Sequence, residues 1–356
     1  MAELTWQGKA VPTSDDSGLQ HRLVDQQSYP LSPPQSQPLT IDTLVVSSKQ
    51  KDTGSQWQNR LIQADRIQAL RTLIPEFAGQ VNVIYIDPPF MTGRTFNNGS
   101  QLAATTRISY HDIWNNSLDT YLQWLYETFY YLYYLLDTNG SLYVHLDWRA
   151  AHYAKLLLDE IFSGPTAIRG AGFKNEIIWH YQSGGRARKT FARKHDTILL
   201  YTKSTQYNFH SERVSIRRGA DRRNHMRRNV DDNGQTSWTI RSNGHIYTYT
   251  EDSTMSLADV WSDISHLHQR NPERTGYATQ KPEALLERIL LASSEEGDLV
   301  LDCFCGSGVT PVVAERLKRR WLAIDQNEMA IAVTSQRLLK GTRLYPFVIQ
   351  YVTTIE

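Results

Sequence analysis

The amino-acid sequence predicts an α/β fold with a doubly wound, mostly parallel sheet. From about residue 59 to residue 340, short apolar segments rich in strand-forming residues alternate with longer amphipathic segments. Two of the predicted strands end in an aspartate and run directly into turn residues, in VNVIYIDPPF (81–90) and LVLDCFCGSG (299–308). Ligand sites of open parallel sheets lie at the carboxyl ends of the strands, so both stretches are predicted to belong to a functional edge of the sheet.

The first half of the chain begins with a polar arm, residues 1–57, which is predicted to be irregular because it is rich in Pro, Ser and Gln. The aromatic segment 121–136 predicts a buried helix that packs on the sheet rather than a surface for stacking bases. The remaining elements predicted in this half are a strand at 61–64, a helix through Ile74, the strand at 81–86, a Gly- and Asn-rich loop at 91–116, a strand at 141–145 and a helix at 149–162.

The second half is predicted to return to the same alternation after an irregular middle segment. Pro282 can open the amphipathic helix EALLERILLASSE, because proline suits the start of a helix. The other predicted elements are strands near 176–179 and 197–201, strands at 299–301 and 321–325, and helices at 312–320 and 328–339.

Composition and charge narrow the class of protein. No stretch of the 356 residues approaches the roughly 18 apolar residues of a membrane span, and the amino terminus lacks the pattern of a secretory signal. The two cysteines, Cys303 and Cys305, favour a reducing, cytoplasmic location. The net charge of +1 conceals a basic segment, since Gly184 to Arg228 holds 13 Lys and Arg against 3 acids. This segment therefore carries +10 and favours an anionic partner.

The predicted organisation follows from these patterns and has four parts. They are a polar arm at 1–57, a catalytic domain at 58–182 and 255–345, a basic insert at 183–254 and a tail at 346–356.

The tetrapeptide Asp87-Pro88-Pro89-Phe90 offers what an exocyclic amino group on a flat ring needs. The Asp87 carboxylate and the Pro88 carbonyl can accept hydrogen bonds, the prolines stiffen both groups, and Phe90 supplies a stacking face. By itself the tetrapeptide fits an ordinary Pro-Pro turn equally well, because motifs this short match by chance.

The second stretch has the features of a nucleotide-type binding turn. A strand runs into Asp302, the glycines of Gly306-Ser307-Gly308 allow a ligand to approach the backbone, and a helix follows. Asp325 ends the next predicted strand about 20 residues later, the spacing at which an acid binds ribose hydroxyls in dinucleotide folds.

At this point the sequence resembles the S-adenosylmethionine-dependent amino-DNA methyltransferases. The resemblance rests on Asp87-Pro-Pro-Phe90, Asp302-x-Phe304-x-Gly306-Ser-Gly308 and Thr279-Gln-Lys-Pro282, with support from GSLYVHLDW (140–148) and KNEIIWHY (174–181). The DPPF motif precedes the glycine loop by about 215 residues, with the basic segment between them. This permuted order resembles the β group of adenine-N6 and cytosine-N4 enzymes, including the modification subunits of type III restriction systems, over about residues 58–340.

The resemblance implies a Rossmann-like methyltransferase fold and S-adenosyl-L-methionine as the cofactor. It implies that Asp65 binds the cofactor adenine and Lys281 its carboxylate, whereas the residues alone fit a helix cap and a solvated lysine. The full set of cofactor residues implied is Asp65, Lys281, Asp302, Phe304, Gly306, Ser307, Gly308, Thr310 and Asp325. Cys303 and Cys305 lack further ligands at metal-binding spacing, so no metal is predicted.

The resemblance further implies methyl transfer to the N6 amino group of an adenine flipped out of double-stranded DNA, with Asp87 to Phe90 as the catalytic residues. The alternatives are a cytosine-N4 enzyme, whose family members more often carry Ser at the position of Asp87, an RNA adenine methyltransferase and a non-catalytic DNA-binding subunit. A second copy of the chain or a cognate restriction subunit are candidate protein partners. The residues predicted to bind DNA are Arg217, Arg218, Arg222, Arg223, Arg227 and Arg228.

Overall fold

A ten-stranded sheet forms the centre of the computed structural model, which describes residues 4–12, 21–29, 57–97, 108–112, 117–164, 167–182, 187–218, 225–341 and 345–354. With strands numbered in chain order, its spatial order is β1 (His21–Tyr29), β17 (Phe347–Thr354), β2 (Asn59–Gln63), β16 (Arg320–Asp325), β15 (Leu299–Asp302), β3 (Val81–Ile86), β6 (Leu136–Leu146), β8 (His195–Thr202), β7 (Gly172–His180) and β14 (Val260–Trp261). The strands from β17 to β6 run parallel, and β1 and β8 run antiparallel to their neighbours. The predicted fold class is confirmed.

Helices cover both faces of the sheet. They are α1 (Arg66–Phe77), α2 (Leu118–Leu135), α3 (Ala151–Phe162), α4 (Glu283–Ser293), α5 (Val309–Arg316) and α6 (Glu328–Lys340). The first three helices pack on one face of the sheet and the last three on the other. The strands β3 and β15 are therefore buried on both sides, which explains why their sequences are almost continuously apolar. The aromatic stripe of α2 packs in the core, where Tyr121 and Phe129 are fully buried. No helix in the described ranges is long and apolar enough to cross a membrane.

Both chain ends depart from the sequence prediction. Residues 346–356 were expected as a tail, but β17 lies inside the sheet, parallel to β2 and hydrogen-bonded to it from Phe347 to Tyr351. The arm at 1–57 was expected to be irregular, but β1 pairs antiparallel with β17 and so adds an edge strand. Pairing between strands so distant in sequence leaves little trace in a local pattern, which is why both strands were missed.

The predicted loop at 91–116 contains an antiparallel pair in its described part, β4 (Arg94–Asn97) with β5 (Ile108–Asp112). The buried Asp112 carboxylate accepts hydrogen bonds from the backbone N–H of Met91 at 3.0 Å and of Thr92 at 2.6 Å. The pair therefore anchors the chain just after the DPPF motif.

The arginine-rich part of the chain forms two small sheets beside the main one. They contain β9 (Ile216–Arg217), β10 (Arg227–Val230), β11 (Thr236–Ser242), β12 (His245–Tyr249) and β13 (Thr254–Met255). Before them, a 3-10 turn at Ser211–Val214 packs on α4, and Arg213 pairs with Glu295 at 2.8 Å.

Candidate active site

A cavity of about 450 Å³ opens at the carboxyl ends of the parallel strands. An aspartate lines it at or just after the end of each of five strands: Asp65 after β2, Asp87 after β3, Asp147 after β6, Asp302 in β15 and Asp325 in β16. Parallel strands place their carboxyl ends at one edge, which brings residues from positions 65 to 325 together. The sequence-predicted residues at this cavity are Asp65, Asp87, Pro88, Pro89, Phe90, Lys281, Asp302, Phe304, Gly306, Ser307, Thr310 and Asp325.

Gly308, the remaining predicted cofactor residue, shapes the turn between β15 and α5 rather than lining the cavity. Its φ is +74°, and a Cβ atom there would lie 2.5 Å from Thr334 Oγ1, so only glycine fits without strain. Gly306 also has a positive φ, and its backbone N–H donates to Asp325 Oδ2 at 2.9 Å. The glycine turn thus ties the end of β15 to the end of β16.

The two carboxylates beside the glycine turn are held in a weakly solvated environment. Burial raises the pKa of Asp302 to about 7, and the charges of Asp87 and Asp325 add to the rise, although hydrogen bonds from Thr310 and Phe304 oppose it. Burial likewise raises the pKa of Asp325 to about 6. A positively charged ligand beside these carboxylates would favour their ionised forms, and carboxylate oxygens can accept hydrogen bonds from hydroxyl groups.

Asp65 both caps a helix and lines the cavity. Its carboxylate accepts a hydrogen bond from the backbone N–H of Ile67 at 2.9 Å, which fixes the start of α1. The next residue, Arg66, places its guanidinium carbon 3.9 Å from the ring centroid of Trp124, and burial lowers its pKa to about 10. Arg66 and Trp124 both line the cavity, and sequence reasoning missed them. Trp124 was missed because α2 was interpreted only as core.

The structure places Lys281 at the DPPF motif. Its ammonium forms an ion pair with Asp87 and lies 5.2 Å from the ring centroid of Phe90. Both charged side chains are largely buried, with 12% and 18% of their surfaces exposed. The sequence prediction placed Lys281 at the cofactor carboxylate, whereas the ion pair joins the TQKP segment to the carboxylate predicted to receive the target amine.

The DPPF backbone is fixed by side chains from α2 and from the β4–β5 pair. The Tyr121 hydroxyl donates to the Pro89 carbonyl at 2.8 Å, and Asp112 holds the two residues that follow Phe90. Met91 adopts a φ of +59°, which turns the chain sharply after the motif. These contacts stiffen Asp87 and Phe90 in addition to the prolines.

A buried polar network extends from the DPPF strand, and sequence reasoning did not find it. His145 is fully buried, with Nδ1 2.8 Å from the Tyr85 hydroxyl and Nε2 3.2 Å from Asp196 Oδ2. The Tyr181 hydroxyl donates to the other oxygen of Asp196 at 2.9 Å. Burial raises the pKa of Asp196, but a hydrogen bond from His145 and the charge of His145 outweigh it, so the pKa is lowered overall. The imidazole also stacks on Phe90, with ring centroids 6.1 Å apart. The network therefore helps to hold the Phe90 ring in place.

Cys303 and Cys305 are buried, and burial raises the pKa of both thiols. A neutral thiol is a poor nucleophile, so neither residue suits attack on a base carbon. Within the described ranges, no three His, Cys, Asp or Glu side chains gather in a way that could hold a metal ion.

None of the described arginines predicted to bind DNA lines the cavity. Arg217 pairs with Asp252 at 3.5 Å on the surface, and Arg218 lies 4.2 Å from the ring centroid of Tyr249. Arg227 and Arg228 are exposed on β10. Arg222 and Arg223 fall outside the described residues.

Comparison with known proteins identifies relatives of this chain. The sequence profile of a family described as DNA methylase matches residues 81–336. The type II methyltransferase M.HpaI of Haemophilus parainfluenzae is 28% identical over 281 residues, covering 78% of this chain and 74% of the relative. The DNA adenine methyltransferase YhdJ of Escherichia coli K12 is 26% identical over 280 residues, covering 78% of this chain and 82% of the relative.

Solved structures share the fold at low sequence identity. The PvuII DNA methyltransferase, described as cytosine-N4-specific, superposes with a TM-score of 0.52 at 16% identity, over 79% of this chain and 86% of its own. The Thermus thermophilus protein TTHA0409 complexed with S-adenosyl-L-methionine superposes with a TM-score of 0.50 at 16% identity, over 82% of this chain and 97% of its own.

Proposed function

The chain belongs to the DNA methylase family of the N6/N4 type, and from this premise we propose that it methylates the N6 amino group of adenine in double-stranded DNA. The observation that carries the proposal is a shared cavity in which Asp87 and Phe90 face the same space as Asp302 and the glycine turn. A transferase of this kind must hold an amine acceptor and a methyl donor together, because most of the rate gain comes from orientation.

S-adenosyl-L-methionine is the cofactor of this family, and when bound it supplies an electrophilic methyl group on a sulfonium. The residues present fit it, since the Asp302 and Asp325 carboxylates line the cavity and can pair with its positive charge and accept hydrogen bonds from its hydroxyl groups. We propose that the backbone of residues 303–307 and these two carboxylates hold the cofactor, together with Asp65 and Arg66, which also line the cavity.

The DPPF motif would receive the target base. The amino nitrogen of adenine is a weak nucleophile because its lone pair is delocalised into the ring. Hydrogen bonds from the amino group to the Asp87 carboxylate and the Pro88 carbonyl would orient the lone pair toward the methyl group, with Phe90 stacked on the base. Since Asp87 is paired with Lys281 in the structure, the amino group must take over part of that interaction when it enters.

The choice of adenine over cytosine rests on Asp87 and on the adenine-specific relative YhdJ. Cytosine-N4 members of the family more often carry Ser at the position of Asp87. We further propose that residues 183–254 recognise the target sequence. We also propose that the enzyme acts in the cytoplasm within a restriction–modification system, since one relative is a probable type III restriction-modification enzyme Mod subunit of Haemophilus influenzae.

The test is a methylation assay with product identification. Purified protein is incubated with unmethylated plasmid and S-adenosylmethionine carrying a labelled methyl group, and the DNA is digested to nucleosides for mass analysis. The expected product is N6-methyladenine, formed by the wild type and absent with Asp87→Asn. Label only in N4-methylcytosine would overturn the choice of base, label only in added RNA would overturn DNA as substrate, and no label would overturn the activity.

A further inference from the structure

The connection between β7 and β8 is flanked at both ends by residues that line the cavity. Trp179 pairs with Asp196 and His180 with His195 at the end of the two strands, and the Tyr181 N–H donates to the Lys194 carbonyl at 2.9 Å. Tyr181 and Asp196 both line the cavity. Residues 187–194 of this connection are named the rim loop.

Phe191 lies in the rim loop with 99% of its surface exposed. The next most exposed large apolar side chain in the described ranges, Ile246, has 62% exposed. Single exposed apolar residues are common on protein surfaces, so exposure alone carries no conclusion. Phe191 is distinguished by two further features: it belongs to a connection whose flanking residues Tyr181 and Asp196 line the cavity, and the residues around it are basic.

The rim loop is strongly basic. Arg188, Lys189, Arg193 and Lys194 flank Phe191, and no acidic residue occurs between positions 187 and 195. The Arg193 guanidinium carbon lies 4.0 Å from the ring centroid of Trp148, which fastens the loop to the residue that follows the cavity-lining Asp147. Trp148 itself is 42% exposed. An exposed aromatic among cations fits a nucleic acid, which offers phosphates and stacking bases together.

We propose that the rim loop contacts duplex DNA and that Phe191 enters the base stack at the position the target base leaves. This assignment rests on the proposed DNA methyltransferase function. The target base must rotate out of the duplex to reach Asp87, which leaves an unstacked gap and an unpaired partner base. Phe191 fills the gap, while Arg188 and Lys189 bind phosphates on either side.

This role differs from that proposed for the arginines at 217–228. The chain reaches that segment through Thr202, which pairs with Ser141 at the edge of the sheet opposite the cavity. The connection that contains the rim loop instead leaves β7 next to Tyr181 and enters β8 next to Asp196, and both of these residues line the cavity. The rim loop therefore serves base opening, and the arginine segment serves affinity and sequence choice.

The test compares two duplexes that carry the methylated motif found by sequencing plasmid treated with the wild type. One duplex is fully paired, and the other has an abasic site opposite the target base, so that no base pair has to be opened. Loss of one stacked aromatic corresponds to about 5- to 150-fold, so Phe191→Ala is expected to slow single-turnover methylation by that factor on the paired duplex. On the abasic duplex the loss is expected to stay below about threefold, because opening no longer contributes. Phe191→Trp is expected to retain most of the rate on both duplexes.

Binding measurements test the cations of the rim loop. Arg188→Glu with Lys189→Glu is expected to lower the slope of log affinity against log salt by about two units. Lys340→Glu, at the exposed end of α6, is the matched control and should leave the slope unchanged. Cofactor affinity, measured by calorimetry, should be unaltered in all these variants.

Equal losses for Phe191→Ala on the two duplexes, or no loss on either, would overturn the role in base opening. An unchanged salt slope in the double variant would overturn the DNA contact. These variants are informative only if the wild type methylates the paired duplex. If the wild type transfers no methyl group to DNA, the proposed function itself fails, which is a different result.

Discussion

Replacing Asp302 with Asn should stabilise the fold while removing cofactor binding. The Asp302 side chain is 2% exposed and accepts hydrogen bonds from the Phe304 N–H at 2.9 Å and the Thr310 hydroxyl at 2.5 Å. An amide at this position keeps both contacts, since its oxygen accepts from Phe304 and its nitrogen donates to Thr310. The substitution therefore removes the charge and little else.

The magnitude follows from the raised pKa. Burial lifts the pKa of Asp302 from 3.8 to about 7, so the folded state binds a proton more tightly than the unfolded state between these values. The free energy of unfolding of the wild type accordingly falls as pH rises from 3.8 through about 7. At 1.36 kcal/mol per pKa unit the cost is about 4 kcal/mol at pH 8 and about 2 kcal/mol at pH 5. These values are ceilings, because relaxation of the site lessens the penalty of a buried charge.

The assay is urea denaturation at pH 5 and pH 8, with cofactor affinity measured by calorimetry at pH 8. Asp302→Asn is expected to raise the free energy of unfolding at both pH values and more at pH 8. Asp232→Asn, in an exposed turn after β10, is the matched control and should change it little. A gain that is absent at pH 8, or equal at the two pH values, would refute the reasoning. Tight cofactor binding by the variant would refute the role of the carboxylate.

Three further variants test the DPPF motif, the glycine turn and the predicted DNA-binding arginines. Asp87→Asn should abolish methyl transfer and leave cofactor affinity within about threefold by calorimetry, because it acts on the target amine. Gly308→Ala should lower cofactor affinity by about tenfold or more and lower the thermal midpoint, because the new Cβ meets Thr334 at a φ of +74°. Arg227→Glu with Arg228→Glu should reduce the salt slope of DNA binding by about two units, because both side chains are exposed cations on β10.

Each of these has an outcome that contradicts it. Cofactor affinity that falls as far as the methylation rate would show that Asp87 serves the cofactor. For Gly308→Ala, adding Thr334→Ala should restore part of the loss by relieving the contact, and failure to do so would point away from a steric cause. An unchanged affinity and slope for the double arginine variant would make this part of β10 a solvated surface.

The sequence by itself determined the fold class and predicted which residues form the candidate site. Strands that end in Asp87, Asp302 and Asp325 could be recognised because side-chain periodicity, proline stiffness and glycine turns act over a few residues. Their meeting in one cavity followed from a general property of parallel sheets. The family resemblance added the cofactor and the reaction.

The tertiary structure decided which distant groups meet. Lys281 lies 194 positions from Asp87 and forms an ion pair with it. The contact of His145 with Phe90 depends on the parallel pairing of β6 with β3 in the sheet. The strand at Phe347–Thr354 owes its place to pairing with β2 rather than to a pattern of its own. The raised pKa of Asp302 arises from its burial in the folded chain, and the charge of the distant residue Asp87 adds to the rise. Pairing, burial and charge depend on distances in space, and a sequence specifies those distances only through the fold that the whole chain adopts.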